Sequence, residues 1–309
     1  LFDSFTGGAN GNTFNINGPV TGNLIGGNGD DVFHFSGSGS LNGAIVGNGG
    51  NDTLSFGGVS TAQTITLLSA DASGYSGTNS LISGGFSGIN TLAGGNGADT
   101  LIGLNSPSNW TVGTTLNPMF RSYESGGNTL VFSNVENLNG GSNTDAYNIS
   151  GLQNVNLNGG AGDDTFNFAD GASITGSLVG GAHVIGDTVS YAGNTTPVTV
   201  NLNNLNTIET VIGGNGNDTL VGLTSGSTFT INALNSGTAG SIVFQNFENL
   251  TGSAGADTFN LTDTGVLTGG IDLSVGSVLA FGGMVVAMLI SGGTGAGKTT
   301  LLNVLSRFI

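Results

Sequence analysis

Cysteine is absent from the 309 residues, so the chain has no disulfide framework and no thiol chemistry. Bases are nearly absent too. Lys and Arg together number 3 against 19 Asp and Glu, a formal net charge of −16. Such a surface repels nucleic acid and anionic lipid, so no nucleic-acid partner is expected and a membrane is a disfavoured one, and it attracts cations. Proline is scarce at 4, so the 59 glycines stand without the partner residue of Pro-rich linkers. The opening stretch LFDSFTGGAN lacks an initiator Met, a positive n-region and an apolar h-region, which predicts a fragment or mature segment of something larger. No G-x-S-x-G nucleophile signature occurs.

What is present argues for a folded chain. The hydrophobic fraction is 37% and Phe alone numbers 17, whereas a disordered chain lacks the apolar residues for a core. The glycines therefore read as turn residues of an all-β protein. The length suits one long domain or two ordinary ones.

The turns repeat. GGANGN, GGNGDD, GNGGND, GGNGAD, GGSNTD, GGAGDD, GGNGND and GSAGAD end on Asn12, Asp31, Asp52, Asp99, Asp145, Asp164, Asp218 and Asp257, and a divergent GGAHVIGD ends on Asp187. Asn12 to Asp31 is 19 residues, Asp31 to Asp52 is 21, Asp145 to Asp164 is 19 and Asp164 to Asp187 is 23. A period near 20 predicts one coil of a parallel β-solenoid, a β-helix or β-roll, in which each repeat stacks on the last. Asp99 to Asp145, at 46, reads as two coils of 23. Each turn is followed by an alternating strand such as DVFHF, DTLSF or DTFNF, with Phe33, Phe166 and Phe259 inward. A larger unit also recurs: residues 26–47 match 159–180, 90–104 match 209–223, and 132–149 match 244–261. A third copy begins near Gly252 and stops near Asp272.

The form G-G-x-G-x-D-x-[LFVI]-x resembles the calcium-binding repeats-in-toxin motif. The larger unit, with FSNVENLNGG and FQNFENLTGS, resembles repeats of giant secreted bacterial adhesins and filamentous-haemagglutinin-like exoproteins. The resemblance covers roughly residues 6–272 and implies an extracellular or cell-surface rod. Ca²⁺ takes six to eight oxygen ligands from carboxylates and turn carbonyls. The candidate positions are Asp31 with Asp52, and the run Asp145, Asp164 and Asp187. Against this stands the reading that each Asp bonds its own turn and stacking does the rest. Asn12 in place of Asp favours that reading. Toxin-type rolls stack their turns at nonapeptide spacing, whereas these copies stand one per roughly 20 residues.

Other chemistry is sparse. His34 and His183 have neither Cys nor a second His at i+4, so they form no zinc pattern; His34 reads as an outward strand residue. The pairs Asp30–Asp31 and Asp163–Asp164 are adjacent, so they point to opposite faces and do not flank one glycosidic bond. Trp110 and the tyrosines read as packing residues, because they do not recur at coil spacing.

Composition breaks after Asp272: residues 1–272 hold all 19 acids and 1 base, and residues 273–309 hold 2 bases and no acid. VVAMLI (285–290) reads as a buried strand, followed by a loop with Gly292 and Gly297, Lys298 for terminal phosphates, Thr299 for Mg²⁺, and a helix TTLLNVLSRF. The stretch resembles the Walker A segment of pilus-assembly secretion ATPases of the type II/IV class. No metal-supporting acid or further catalytic residue follows it, so ATP with Mg²⁺ is not an expected cofactor. The tail reads as a piece of another protein's motif joined where the third repeat breaks off. A membrane span over residues 273–290 carries less weight than a strand entering the loop, and the apolar helix has a use as a cap on open strand edges.

The sequence thus predicts an acidic glycine-rich β-solenoid over 1–272 and an appended strand–loop–helix over 273–309. The expected role is a length of bacterial adhesin or stalk, without an active site. It would make multivalent contact with an extracellular or cell-surface ligand and stack against neighbouring repeats of a longer parent chain. The alternatives are a nucleotide-binding fragment of a secretion ATPase fused to repeats, and a calcium-stiffened spacer without adhesive role.

Overall fold

A computed structural model describes residues 3–273, 278–281 and 284–287. Gly292, Gly297, Lys298 and Thr299, with the helix expected after them, lie outside the described residues. The chain forms two compact units, Leu1–Ser190 with Asn206–Ile208, and Tyr191–Leu205 with Glu209–Ile309. Both are parallel β-solenoids. The one helical element among the described residues is a single 3-10 turn at Leu202–Asn204, so no helix there is long and apolar enough to cross a membrane.

In the first unit, strands stack in parallel register in four runs, or faces; the first and third are lengths of one continuous sheet and the second and fourth lengths of another, each sheet interrupted by an antiparallel meander. The first face holds Ser4–Thr6, Asn23–Gly27, Ile45–Asn48 and Ile82–Ile89. The second holds Thr13–Ile16, Val32–Ser36, Thr53–Gly58, Thr91–Ala93 and Asn128–Ser133. The third holds Thr64–Asp71, Thr100–Ile102, Asn137–Ser142, Asn156–Ala161 and Leu178–Ala182. The fourth holds Ser108–Val112, Asp145–Ile149, Thr165–Phe168 and Thr188–Ser190.

Alternation within each strand builds the core. Phe14, Phe33, Leu54, Leu92 and Phe132 share one register column, and Ile65, Leu101, Leu138, Leu157 and Leu178 share another. Their outward neighbours are mostly Thr, Asn, Ser and His, with Val32, Ile102, Val131 and Val179 among them. Phe33, Phe166 and Phe259 are fully buried. Burying one such ring contributes about 2–3 kcal/mol. His34 faces outward, its Nδ1 3.1 Å from Ser55 Oγ in the next coil.

Trp110 is a packing residue, fully buried, but it does recur. It stands in register with Tyr147, Phe166 and Val189. The rings of Trp110 and Tyr147 stack at 5.4 Å and those of Tyr147 and Phe166 at 4.9 Å. The column is hidden in the sequence because four kinds of side chain fill it and its first interval is 37 residues rather than 20.

That interval has a cause. The chain leaves the coil in antiparallel meanders, which the turn period does not reveal. One runs Thr64–Asp71, Gly74–Asn79, Ile82–Ile89 and another Ser108–Val112, Arg121–Ser125, Asn128–Ser133. The 46 residues from Asp99 to Asp145 are therefore not two plain coils. Asp99 precedes a strand of the third face and Asp145 begins a strand of the fourth.

The second unit repeats the scheme. Thr199–Asn201, Thr219–Val221, Asn249–Thr251 and Ile271–Asp272 form one parallel stack, and Thr228–Ala233, Thr258–Leu261 and Val278–Phe281 another. Its meander is Thr228–Ala233, Ser236–Ala239, Ile242–Gln245. Val278–Phe281 lies in register on Thr258–Leu261, and Met284–Ala287 pairs with it antiparallel.

Candidate functional site

The recurring chemistry sits at the corners, where each glycine turn hands one face to the next. The repeat carboxylates point inward. Asp31, Asp52, Asp99, Asp145, Asp187 and Asp218 are 0% exposed, and Asp164 and Asp257 are 1% exposed. A charge so placed must be hydrogen-bonded, and each Asp oxygen Oδ1 accepts from the coil before its own. The N–H of Asn12 donates to Asp31 (2.7 Å), and that of Asp31 to Asp52 (2.8 Å). At a second corner the N–H of Gln63 donates to Asp99 (2.7 Å), and that of Asp99 to Glu136 Oε2 (2.9 Å). At a third, Ser108 Oγ donates to Asp145, the N–H of Asp145 to Asp164 (2.7 Å), and that of Asp164 to Asp187 (2.7 Å). The corners are ladders of backbone donors and buried carboxylates.

The structure thus brings Asp31 and Asp52 together in one ladder and Asp145, Asp164 and Asp187 in another. The rungs Glu136 and Glu248, whose Oε2 accepts the N–H of Asp218 at 2.8 Å, are invisible to a motif search. Their signal is the repeated NVENL and NFENL, two copies of one short pattern in this chain.

The second oxygen divides the turns into two kinds. Oδ2 accepts the N–H four residues back at Asp31 (from Gly27, 2.6 Å), Asp145 (Gly141, 2.9 Å), Asp218 (Gly214, 2.6 Å) and Asp257 (Ser253, 2.8 Å). At Asp52 and Asp164, Oδ2 is buried without a hydrogen bond. In those two turns the residue four back lies at positive φ, Asn48 at 75° and Gly160 at 104°, which swings its N–H away. Burial raises the Asp52 and Asp145 carboxyls above their ordinary range and pushes Asp164 up to about 7. Asp163 is lowered, because the N–H groups of Ile185, Gly186 and Val184 donate to its Oδ1.

The glycines of the motif have one cause, which is backbone stacked on backbone. A Cβ on the first glycine would strike both the carboxylate and the next coil: at Gly159 it would lie 2.2 Å from Asp164 Oδ2 and 2.5 Å from the Gly180 carbonyl. On the second it would meet the preceding turn, 1.7 Å from Gly8 O at Gly27. On the third it would do the same, 2.5 Å from Gly11 N at Gly29. So G-G-x-G-x-D is fully accounted for by close stacking and a carboxylate ladder.

A cation needs oxygen ligands and is repelled by N–H donors. At Asp31 and Asp145 both carboxylate oxygens are already taken by donors, so the fit is poor. At Asp52 and Asp164 the unbonded Oδ2 and the carbonyl of Gly88 or Gly180 both come within 2.5 Å of where a Cβ on Gly47 or Gly159 would stand. Those two oxygens at each corner fit a cation in kind but fall short of six in number.

Residues 38–190, just under half of the chain and all within the first unit, match the family described as Peptidase M10 serralysin C terminal. No curated protein sequence matches the chain.

Proposed function

We propose that this chain is a length of rod from a secreted or surface-attached bacterial repeat protein, acting by repeated contact along its faces. The observation that carries it is the corner architecture: buried acids and glycines are both spent on stacking one coil on the next. Many outward strand positions are neutral Thr, Asn and Ser, as in the register columns Thr64–Thr100–Asn137–Asn156 and Thr165–Thr188. Those faces offer many weak hydroxyl and amide contacts whose strength comes from repetition. The similarity of residues 38–190 to a serralysin C-terminal region supports a secreted repeat region. The test is to tether the chain to beads at low and high density and measure retention on polysaccharide-coated and cell-covered surfaces under flow. Retention should climb far faster than density. Equal release at both densities removes the adhesive role and leaves a spacer.

A second reading, a rod stiffened by calcium, is favoured by the unbonded buried oxygens of Asp52 and Asp164. Millimolar Ca²⁺ should then raise the melting temperature, since a ligand of the folded state alone stabilises it. Asp164→Asn should shrink that rise. An unchanged melting curve would leave the hydrogen-bonded ladders as the whole account of the corners.

A further inference from the structure

We propose that the overhanging edge of Thr64–Asp71 accepts an extended, basic peptide strand from a partner protein. The site is independent of the rod's role. Residues 64–66 pair in parallel with Thr100–Ile102, and there that partner ends as the chain turns away at Gly103. Residues 67–71 continue, paired with Gly74–Asn79 on one side and with no described strand on the other. At about 3.3 Å per residue this leaves roughly 17 Å of open edge.

An open edge is a template for another strand, and folded proteins guard such edges with Lys, Pro or a covering segment. This one carries neither Lys nor Pro, and Leu68 on it is 63% exposed. Beside it lies a cleft of about 540 Å³, walled by Leu67, Leu68 and Ala70 on the edge and by Leu104, Pro107 and Asn128 opposite.

The far wall is preformed. The Leu104 N–H donates to Tyr123 Oη at 2.7 Å, and Ser125 Oγ to the Pro107 carbonyl at 3.0 Å. Tyr75 Oη donates to the Asn128 carbonyl at 2.7 Å and accepts the Ser125 N–H at 3.1 Å. A wall held by two buried tyrosines needs no ordering when a ligand enters, which lowers the cost of binding.

Charge selects the occupant. Asp71 is exposed at the end of the edge, and Glu124 is exposed in the pocket that adjoins the cleft across Pro107, Ser125 and Asn128. The nearest base, Arg121, is turned to the Val135 carbonyl at 2.7 Å. A basic strand therefore meets complementary charge, and backbone pairing supplies affinity in the manner of strand addition. The fold does not require the overhang. In the second unit the strand stacked in the same way, Thr199–Asn201, stops level with its partner Thr219–Val221.

The full chain would be screened by fluorescence anisotropy against decapeptides of alternating Val or Thr with Lys, and against matched Glu peptides and neutral oligosaccharides. Lys peptides should bind, with at least tenfold weaker binding for Glu peptides and for Leu68→Lys. Leu152→Lys, a change at an equally exposed leucine elsewhere, should leave binding unchanged, and circular dichroism should show both variants folded. Hydrogen exchange should show new protection over residues 67–71. Overturning results are no bound peptide in the set, affinity indifferent to Leu68→Lys, or protection elsewhere. Oligosaccharide binding abolished by Leu68→Lys would make the cleft a glycan site instead. A concentration-dependent dimer abolished by the same change would give the edge to a second copy of the chain.

Discussion

Residues 90–149 of the first unit and 209–261 of the second are two answers to one folding problem. In both, a strand of one face leads through a G-G-N-G-x-D turn to the next face, then into a three-stranded meander whose first and last strands rejoin the stacks. The corner rung is Asp99 on Glu136 in one and Asp218 on Glu248 in the other. The interiors differ. Trp110 faces Tyr123 across the first meander, whereas Phe229 faces Ala239 across the second, and Val135 of the first copy is replaced by the buried Phe247 in the second. The Leu104 N–H donates to Tyr123 Oη, while the Leu223 N–H donates to Ser227 Oγ at 2.8 Å. Backbone stacking and the acid ladder are held fixed, and side-chain volume is free to move between strands. Close-packed cores tolerate such exchange when total volume and patterning are kept.

The harshest test of that equivalence is a methyl group at the first glycine of each corner. A Cβ on Gly94 would lie 1.8 Å from the Asn134 carbonyl, and one on Gly213 would lie 2.0 Å from the Asn246 carbonyl. Backbone cannot swing aside as a side chain can. Gly94→Ala and Gly213→Ala should each cost about 3–5 kcal/mol, the range of severe core lesions. Gly240→Ala meets no atom within 4 Å and pays only for its positive φ of 63°, about 1 kcal/mol. Hydrogen exchange read unit by unit would check this. A mild loss at either corner glycine, with the other severe, would break the claim that the two copies stack alike.

This contrast also shows what the sequence discloses. Glycine spacing, the strands after each Asp and the inward Phe residues are local, and a 20-residue period exposes them. The four faces are not local. Asp31, Asp99 and Asp145 carry the same motif, yet Asp31 and Asp145 lead from the sheet of Asn23–Gly27 and Asn137–Ser142 into the other sheet while Asp99 leads back the opposite way, because the meanders shift where the turn falls in the coil. Rungs such as Gln63 and Asn90 match no repeated pattern, since what selects them is an N–H one coil away. The Asn90 Oδ1 accepts the Asp52 N–H at 3.0 Å across 38 residues.

A second test concerns the carboxylates that only the first unit leaves half-bonded. Burial lifts the Asp164 carboxyl from 3.8 to about 7, so the folded state holds its proton more tightly than the unfolded chain does. Its contribution is therefore most favourable below about pH 4, declines as pH rises toward 7, and is level above that. Asp52 and Asp145 are moved the same way by burial, and Asp163 the opposite way by its N–H donors. Without divalent cations, the opening free energy of the first unit should fall between pH 4 and pH 7. Each tenfold difference in proton affinity between the folded and unfolded chain is worth about 1.4 kcal/mol. Asp164→Asn should flatten most of the slope. A profile already flat in the parent chain, or a slope that survives the substitution, would show that the free Oδ2 is not the responsive group.

The smallest effect lies at the top of the ladders, where both units follow one rule. The first rung is neutral in every case: Asn12, Gln63 and Ser108 in the first unit, Val198 and Ser227 in the second. Each donates to the carboxylate below it, and no described coil above offers it an N–H to accept. Asn12 adds a side-chain bond, Nδ2 to Asp31 Oδ1 at 2.9 Å. Asn12→Asp would turn that donor into an acceptor and set two carboxylates in contact, at a partly exposed corner where water softens the repulsion. The expected loss is about 1 kcal/mol at pH 7, recovered in acid as the introduced carboxyl takes a proton. Asn12→Ser keeps the rung neutral and should lose less at pH 7, with no recovery in acid. If Asn12→Asp matches the parent chain at both pH values, the neutral first rung is an accident of sequence rather than a condition for starting a ladder.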